Sequence, residues 1–137
     1  MNHHLSLALA LIVVALAAGP GASGAAAADR PHCRVDPFQG ATSTEGAVAQ
    51  LRVPNNGRAC VIVNYGLPAE HEHPADSGRI TKQAAHGTAA FVAPDARYTP
   101  LPGYVGDDEF EYEAWARGKL DRQYRLKVRA RVTVTAP

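Results

Sequence analysis

The sequence contains few of the residues on which enzymatic and redox chemistry usually depends. Its two cysteines, Cys33 and Cys60, are too far apart for the C-x-x-C motif of thiol–disulfide oxidoreductases. Beyond residue 28 the only serines are Ser43 and Ser77, and neither lies in a G-x-S-x-G or S-x-x-K motif. No glycine-rich loop has the spacing of a phosphate-binding site. We therefore expect a protein that is not an enzyme.

The sequence also lacks an apolar run that is long enough to cross a membrane comfortably. The longest one, residues 5–18, has the length of a signal-peptide core. Small residues follow it, and Ala26 and Ala28 fit the small-x-small rule for cleavage before Asp29. We expect residues 1–28 to be a signal peptide; an uncleaved anchor is the alternative, because the first residues lack Lys and Arg. The mature protein is then periplasmic or secreted, without stable membrane insertion.

Net charge gives little indication of the partner. All Lys, Arg, Asp and Glu residues lie beyond residue 28, and the formal net charge is +1. A nearly neutral chain has no general attraction for nucleic acid or for a membrane surface, so we expect neither as a partner. Residues 29–137 are enough for one domain, and they contain no internal repeat.

The two cysteines gain significance once export is expected. In an oxidising compartment a pair of cysteines usually forms a disulfide, so we predict a bond between Cys33 and Cys60. Closing a loop of about 28 residues stabilises a fold by roughly 3–4 kcal/mol on the chain-entropy model. Two buried free thiols are the alternative.

Helical periodicity is scarce, and apolar residues alternate with polar ones almost everywhere beyond the apolar leader. Turn residues interrupt this pattern at short intervals. The strands that we predict are residues 47–53, 58–65, 79–83, 88–92, 97–99, 109–116 and 122–135. About seven short strands in one domain indicate an all-β fold, an antiparallel β-sandwich. The polar residues 66–77 are expected to form a surface loop.

The last two predicted strands show the clearest alternation. The first has apolar side chains at 110, 112 and 114 and glutamates at 109, 111 and 113, and the second has basic residues on one parity. A hairpin places the acidic and basic residues on one face. The register that we expect sets Glu113 opposite Arg125, Glu111 opposite Lys127 and Glu109 opposite Arg129.

Five carboxylates within residues 107–113 raise the question of a catalytic or cation site. Three of them belong to the charged hairpin. Asp107 and Asp108 lie where a turn enters the strand, and they are the remaining candidates for a Ca²⁺ site. Stabilisation of the turn by these short acidic side chains is the alternative.

His71 and His73 form an H-x-H motif within residues 66–77. In an extended segment both imidazoles point to one side, as ligands of Zn²⁺ or Cu²⁺ do. A further ligand must come from elsewhere, and solvated loop histidines are the alternative. We expect no obligatory cofactor, and Ca²⁺, Zn²⁺ or Cu²⁺ are the metals that these residues could bind.

Turn and core residues occur at a characteristic spacing between residues 85 and 112. They are Ala85, His86, Gly87, Thr88, Tyr98, Thr99, Pro100, Pro102, Gly103, Tyr104, Gly106, Asp108, Phe110 and Tyr112. This pattern resembles the bacterial cadherin-like and Ig-like repeats of large secreted adhesins. The resemblance implies an Ig-like or cadherin-like sandwich of about seven strands. The residues that define this fold are then Gly87, Tyr98, Pro100, Gly103, Gly106, Asp108, Phe110 and Tyr112.

These expectations describe an exported, non-catalytic Ig-like domain. It acts as a binding or structural module in the bacterial envelope or outside the cell, and its partner is an unidentified protein or polysaccharide there. The last strand, which we expect at an open sheet edge, offers a surface for strand pairing. The alternatives are a periplasmic metal-binding protein that uses His71 and His73, and a calcium-binding cadherin-like adhesion module.

Overall fold

Eight β-strands form nearly all the regular structure of the described residues, 32–67 and 72–137, in the computed structural model. They are β1 (Arg34–Val35), β2 (Ala47–Pro54), β3 (Cys60–Val63), β4 (Ser77–Lys82), β5 (Gly87–Val92), β6 (Asp95–Pro100), β7 (Gly106–Arg117) and β8 (Gln123–Thr135). The prediction of an all-β fold is confirmed, and the seven predicted strands correspond to β2–β8. In this part of the chain no helix is long and apolar enough to span a membrane. The predicted signal peptide, residues 1–28, lies outside the described residues.

The strands form two sheets. The larger one has the order β1-β2-β8-β7-β4, and the smaller one has the order β3-β6-β5. All pairs are antiparallel except β2 and β8, which run parallel from Ala47↔Val128 to Pro54↔Thr135. The expectation of a purely antiparallel fold is therefore wrong at this pair. Parallel neighbours need a long connection, and here almost the whole domain connects them.

The last strand does not lie at a sheet edge, so that expectation is wrong as well. Along residues 128–134, β8 has β2 on one side and β7 on the other. Near its start, the amide of Lys127 donates to the carbonyl of Ala41 at 2.8 Å. Among the described strands, the edges are β1 and β4 in the larger sheet and β3 and β5 in the smaller one.

The β7–β8 hairpin keeps the predicted faces but not the predicted register. Its pairs are Glu109↔Arg131, Glu111↔Arg129 and Glu113↔Lys127. The prediction placed the five connecting residues at 117–121, whereas pairing continues to Arg117↔Gln123 and the five connecting residues are 118–122. Leu120 and Asp121 close this turn with φ values of 57° and 59°. Each glutamate therefore faces a cation two residues further along, and the parity is unchanged.

One hydrophobic core lies between the two sheets, and every second side chain of the strands packs into it. β7 contributes Phe110, Tyr112 and Ala114, as the sequence predicts, and β6 contributes Tyr98. These three aromatic side chains are completely buried, and the Tyr98 and Phe110 rings stack at 5.6 Å. Because residues of one parity carry the apolar surface, a shift of one position would expose the core and bury the charges.

A disulfide between Cys33 and Cys60 joins the two sheets, as predicted. Cys33 precedes β1 of the larger sheet, and Cys60 is the first residue of β3 in the smaller sheet. The two Cα atoms are 5.6 Å apart, a usual distance for a disulfide. The bond therefore fixes the beginning of β3 against the segment that leads into the larger sheet.

Candidate binding groove

Asp108 is a buried carboxylate near the start of β7, and four donors surround it. Its Oδ1 accepts hydrogen bonds from the amides of Ala85 and Glu109 at 3.0 and 2.9 Å. Its Oδ2 accepts hydrogen bonds from the amide of His86 at 3.0 Å and from the hydroxyl of Tyr98 at 2.8 Å. Burial raises the pKa of Asp108, but the donors outweigh burial and hold the pKa below its usual value. The carboxylate thus fastens the turn at residues 85–86 to β6 and β7.

The contacts around the turn at residues 85–86 explain why some residues of the pattern between 85 and 112 are needed. Burial, together with the hydrogen bond to Asp108, raises the pKa of Tyr98, so its hydroxyl stays protonated and donates. A side chain at Gly87 would come within 2.6 Å of the Tyr98 ring, so only glycine fits there. Gly106 has a φ of 141°, which favours glycine. These residues hold the turn at residues 85–86 in place.

Asp107 lies on the opposite face of β7 from Asp108. Its carboxylate is exposed and has one long contact, 3.4 Å to Oγ1 of Thr133. Successive residues of a strand point to opposite sides, so the two aspartates do not converge on one ion. Within residues 32–67 and 72–137, no three His, Cys, Asp or Glu side chains are grouped so that they could hold a metal. The calcium prediction gains no further ligand here.

The H-x-H motif is only partly within the described residues, because His71 lies outside them. His73 adopts a φ of 56°, and its Nε2 is 4.0 Å from Oε2 of Glu72. Its carbonyl accepts a hydrogen bond from the amide of Gly66 at 2.9 Å. The zinc or copper prediction at His71 and His73 stays a prediction.

The outer face of the larger sheet carries the expected ladder of ion pairs. The closest pairs are Glu111–Arg129 at 2.8 Å, Glu113–Arg79 at 3.0 Å and Glu109–Lys82 at 3.0 Å. Solvent-exposed pairs of this kind contribute about 0–1 kcal/mol each. The three glutamates therefore have cationic partners on both neighbouring strands, β4 and β8.

The free edge of β3 is the feature that most resembles a binding site. Among the described residues, β3 pairs with β6 alone. The amide of Asn64 donates to the carbonyl of Pro94 at 3.1 Å, on the β6 side. Backbone groups alternate in direction along an antiparallel strand, so the N–H and C=O groups of Val61 and Val63 face away from β6. These four backbone groups form an edge that can pair with another strand.

A groove of about 900 Å³ runs along this edge, and we call it the β3 groove. It is lined by residues 35–42, residues 61–65, Leu67 and Leu126, and we call the side chains of Phe38, Ile62 and Leu126 its apolar base. The apolar side chains of Val35, Phe38 and Ile62 also line it. Its size is within the range of small-ligand sites, 300–1,000 Å³ being typical. The groove therefore offers an apolar base beside backbone groups that have no strand partner within residues 32–67 and 72–137.

Buried hydrogen bonds hold the far end of β3 in place. The hydroxyl of Tyr112 donates to Oδ1 of Asn64 at 2.8 Å. Nδ2 of Asn64 in turn donates to the carbonyls of Ile62 and Pro94 at 2.9 and 3.0 Å. Burial raises the pKa of Tyr112, which keeps its hydroxyl protonated. With the disulfide at Cys60, both ends of β3 are fixed, so little ordering is needed when a partner binds.

The predicted surface loop, residues 66–77, is attached more closely than expected. Ala75 belongs to the hydrophobic core, with 4 % of its surface exposed. Its amide donates to the carbonyl of Asn64 at 2.9 Å, and Tyr65 forms a β-bridge with Pro74. The described part of this segment therefore extends the β3 region and does not project freely.

The β3 groove was not predicted from the sequence, although one signal was present. The four residues of β3, Cys-Val-Ile-Val, are apolar on both parities, so one pair has to face outward, and in the structure that pair is Val61 and Val63. They are 38 % and 44 % exposed, so two large apolar side chains lie on the outer face of one short strand. The sequence matches no protein-family model, and neither a curated protein nor a solved structure is significantly similar to the chain.

Proposed function

We propose that this chain is an exported, non-catalytic Ig-like domain that binds a protein in the bacterial envelope or outside the cell. Its binding surface is the β3 groove. The observation that carries the proposal is the free edge of β3, where the backbone groups of Val61 and Val63 lie beside an apolar groove. An unpaired edge of this kind is the surface to which extended partner segments add as a further strand.

The strand order supports the Ig-like part of the proposal. In Ig domains one sheet contains strands A, B, E and D, and the other contains C, F and G. The order β3-β6-β5 matches B-E-D, and β8-β7-β4 matches G-F-C. Here β2 pairs with β8 in the larger sheet, so the place of strand A beside β3 has no occupant among the described strands.

The predicted export fits the disulfide. A bond between Cys33 and Cys60 persists in an oxidising compartment such as the periplasm or the extracellular space. The apolar leader with its small-x-small site at Ala26 and Ala28 provides the route to that compartment. Mass spectrometry of the protein from cell fractions tests this route. We expect an intact chain that begins at Asp29 in the periplasmic or secreted fraction, and a cytoplasmic chain with residue 1 retained would contradict it.

Site-specific photo-crosslinking tests the binding surface. A photoreactive amino acid replaces Val63 on the groove edge in one variant and Ala90 in the other. Ala90 is an exposed residue of β5, in the same sheet but away from the groove, and serves as the matched control. In living cells we expect a defined crosslinked partner from position 63 and none from position 90. Equal crosslinks from both positions, or none from position 63, would contradict a binding role for the groove.

A further inference from the structure

We infer that the β3 groove accepts one extended peptide strand. Every second side chain of this strand points inward, into the groove, and these inward side chains are apolar and uncharged. This inference rests on the proposed function and specifies the ligand class of the same site. It follows from the direction of the backbone groups, the composition of the groove and the geometry of a strand.

The backbone groups set the conformation of the occupant. The N–H and C=O groups of Val61 and Val63 face the groove and lie two residues apart on one strand. A peptide satisfies all four only if it is extended, because its own backbone groups then alternate with the same two-residue period. A helix uses its N–H and C=O groups internally and offers no such row.

The apolar base of the groove determines which side chains the bound strand carries at its inward positions. A strand paired with β3 directs every second side chain towards the base, where Phe38, Ile62 and Leu126 lie. Ile62 and Leu126 are only 3 % and 4 % exposed, so the base continues the hydrophobic core. Apolar side chains at alternate positions of the peptide therefore gain burial, and the positions between them face outward.

Charge restricts the inward positions further. Among the described residues that line the groove, Asp36 alone carries a charge at neutral pH, and Arg34 pairs with it at 2.9 Å. No cation among them can neutralise an inward carboxylate, and the apolar base gives an inward ammonium no partner. A charged residue at an inward position would lose its hydration without compensation. Charges are compatible only with outward positions and with the ends of the peptide.

A second copy of this chain fits the groove less well than a single strand. Two β3 edges could pair around a twofold axis and satisfy the same groups of Val61 and Val63. Such pairing is limited to the four residues of β3, Cys60–Val63. A free strand covers the edge and the base together.

Peptide binding to the purified chain tests the inference by fluorescence anisotropy. The probe is a labelled octapeptide, Lys-Val-Thr-Val-Thr-Val-Thr-Lys. Two control peptides keep eight residues: one has the same composition with its valines adjacent, and the other has aspartate in place of the central valine. We expect the probe to bind at least 10-fold more tightly than either control. Equal binding of all three peptides would overturn the inference.

N-methylation of the peptide backbone tests the pairing itself. One version of the probe is methylated at its three valines and the other at its three threonines, so that each removes the N–H groups of one parity. Only one parity faces β3, so we expect one version to lose binding at least 10-fold and the other to stay within threefold. The same loss in both versions, or in neither, would contradict strand pairing.

A matched pair of variants tests the same contact from the protein side. Val63→Pro removes the outward N–H without breaking a bond to β6, and proline is tolerated on edge strands. Val63→Ala keeps the N–H and shortens the same side chain. We expect at least a 10-fold loss of probe binding for Val63→Pro and less than a threefold loss for Val63→Ala. If Val63→Pro fails to fold by circular dichroism, the methylated peptides decide.

The outcomes separate this inference from the proposed function. A partner crosslinked from position 63, with no binding of the probe peptides, would overturn the ligand class and leave the binding role intact. A concentration-dependent dimer in sedimentation that Val63→Pro abolishes would identify a second copy as the occupant and overturn the inference. Selective binding of the alternating probe, lost in the Val63→Pro variant, would support it.

Discussion

Replacing Asp108 by asparagine tests whether this carboxylate stabilises the fold through the hydrogen bonds that it accepts. The Asp108→Asn change keeps the shape of the side chain but turns one acceptor oxygen into an NH₂ group. Two of the four surrounding donors then face another donor. They are either the amides of Ala85 and Glu109 or the amide of His86 and the hydroxyl of Tyr98. The Asp107→Asn change next to it is the matched control, because Asp107 has one long contact to Thr133.

The size of the effect follows from these contacts. A hydrogen bond to a charged group contributes about 1.5–3 kcal/mol, so losing two of them amounts to about 3–6 kcal/mol. Rotation of the Tyr98 hydroxyl recovers part of this, and we expect a loss of about 3–5 kcal/mol in the free energy of unfolding. For a domain of this size that corresponds to a fall in Tm of about 15–30 °C. For Asp107→Asn we expect a change within about 0.5 kcal/mol.

Denaturant unfolding at several pH values measures this effect and its origin. The pKa of Asp108 is lower in the folded state than in the unfolded chain, where it is about 3.9. Its contribution is therefore complete above about pH 5 and is lost as the pH falls towards the folded pKa. We expect the Asp108→Asn variant to lose less stability than the wild type between about pH 5 and pH 2.

Three results would contradict a structural role of the Asp108 carboxylate. If Asp107→Asn and Asp108→Asn destabilise the protein equally, the buried network around Asp108 is not what holds the turn. If the Asp108→Asn variant loses stability towards low pH as steeply as the wild type, the pKa of Asp108 is not depressed by folding. If stability rises with Ca²⁺ in the wild type but not in either variant, the two aspartates form a cation site after all.

Three further predictions concern the core, the disulfide and Tyr98. Tyr112→Ala removes a buried ring and the hydroxyl that donates to Asn64, so we expect the free energy of unfolding to fall by about 3–5 kcal/mol. Glu111→Gln removes only an ion pair at the surface, so we expect a fall of under about 1 kcal/mol. Urea unfolding compares the two, and the reverse order would mean that the faces of β7 are exchanged. The double change Cys33→Ala and Cys60→Ala is expected to remove roughly 3–4 kcal/mol. Reduction of the wild type by a thiol reagent should lower the free energy of unfolding by the same amount. An unchanged melting curve after reduction would contradict stabilisation by the disulfide. Tyr98→Phe removes one donor to Asp108 and should cost about 1.5–3 kcal/mol. Carboxyl NMR titration should show a higher pKa of Asp108 in that variant, and an unchanged pKa would contradict the role of the hydroxyl.

The sequence predicted the strands and their inward faces well because both depend on local alternation. β7 and β8 are the best examples, since Phe110 and Tyr112 are buried and Glu111 is paired at the surface, as expected. The disulfide was also predictable, because it needs only two cysteines in an exported chain. These properties arise from neighbouring residues or from simple counts.

The remaining features depend on which distant segments meet. The parallel pairing of β2 with β8 joins residues about 80 positions apart, and alternation does not specify such a neighbour. The register of the β7–β8 hairpin depended on the left-handed conformations of Leu120 and Asp121, and leucine rarely adopts such a conformation. The open edge of β3 followed from the place of β2 in the other sheet. The candidate site was therefore not predictable before the sheet order was known.

The disulfide also determines how the domain carries mechanical tension. A force that enters the chain ahead of Cys33 passes through the disulfide directly to Cys60, so β1 and β2 lie outside the covalent path of the force. When the bond is reduced, the same force reaches β2, and its parallel pairing with β8 is pulled in shear along all eight residue pairs. The 27 bridged residue steps also become free to extend, by about 90 Å at 3.3–3.6 Å per residue. Redox state thus selects which strands resist stretching, and single-molecule extension with and without reductant measures that selection.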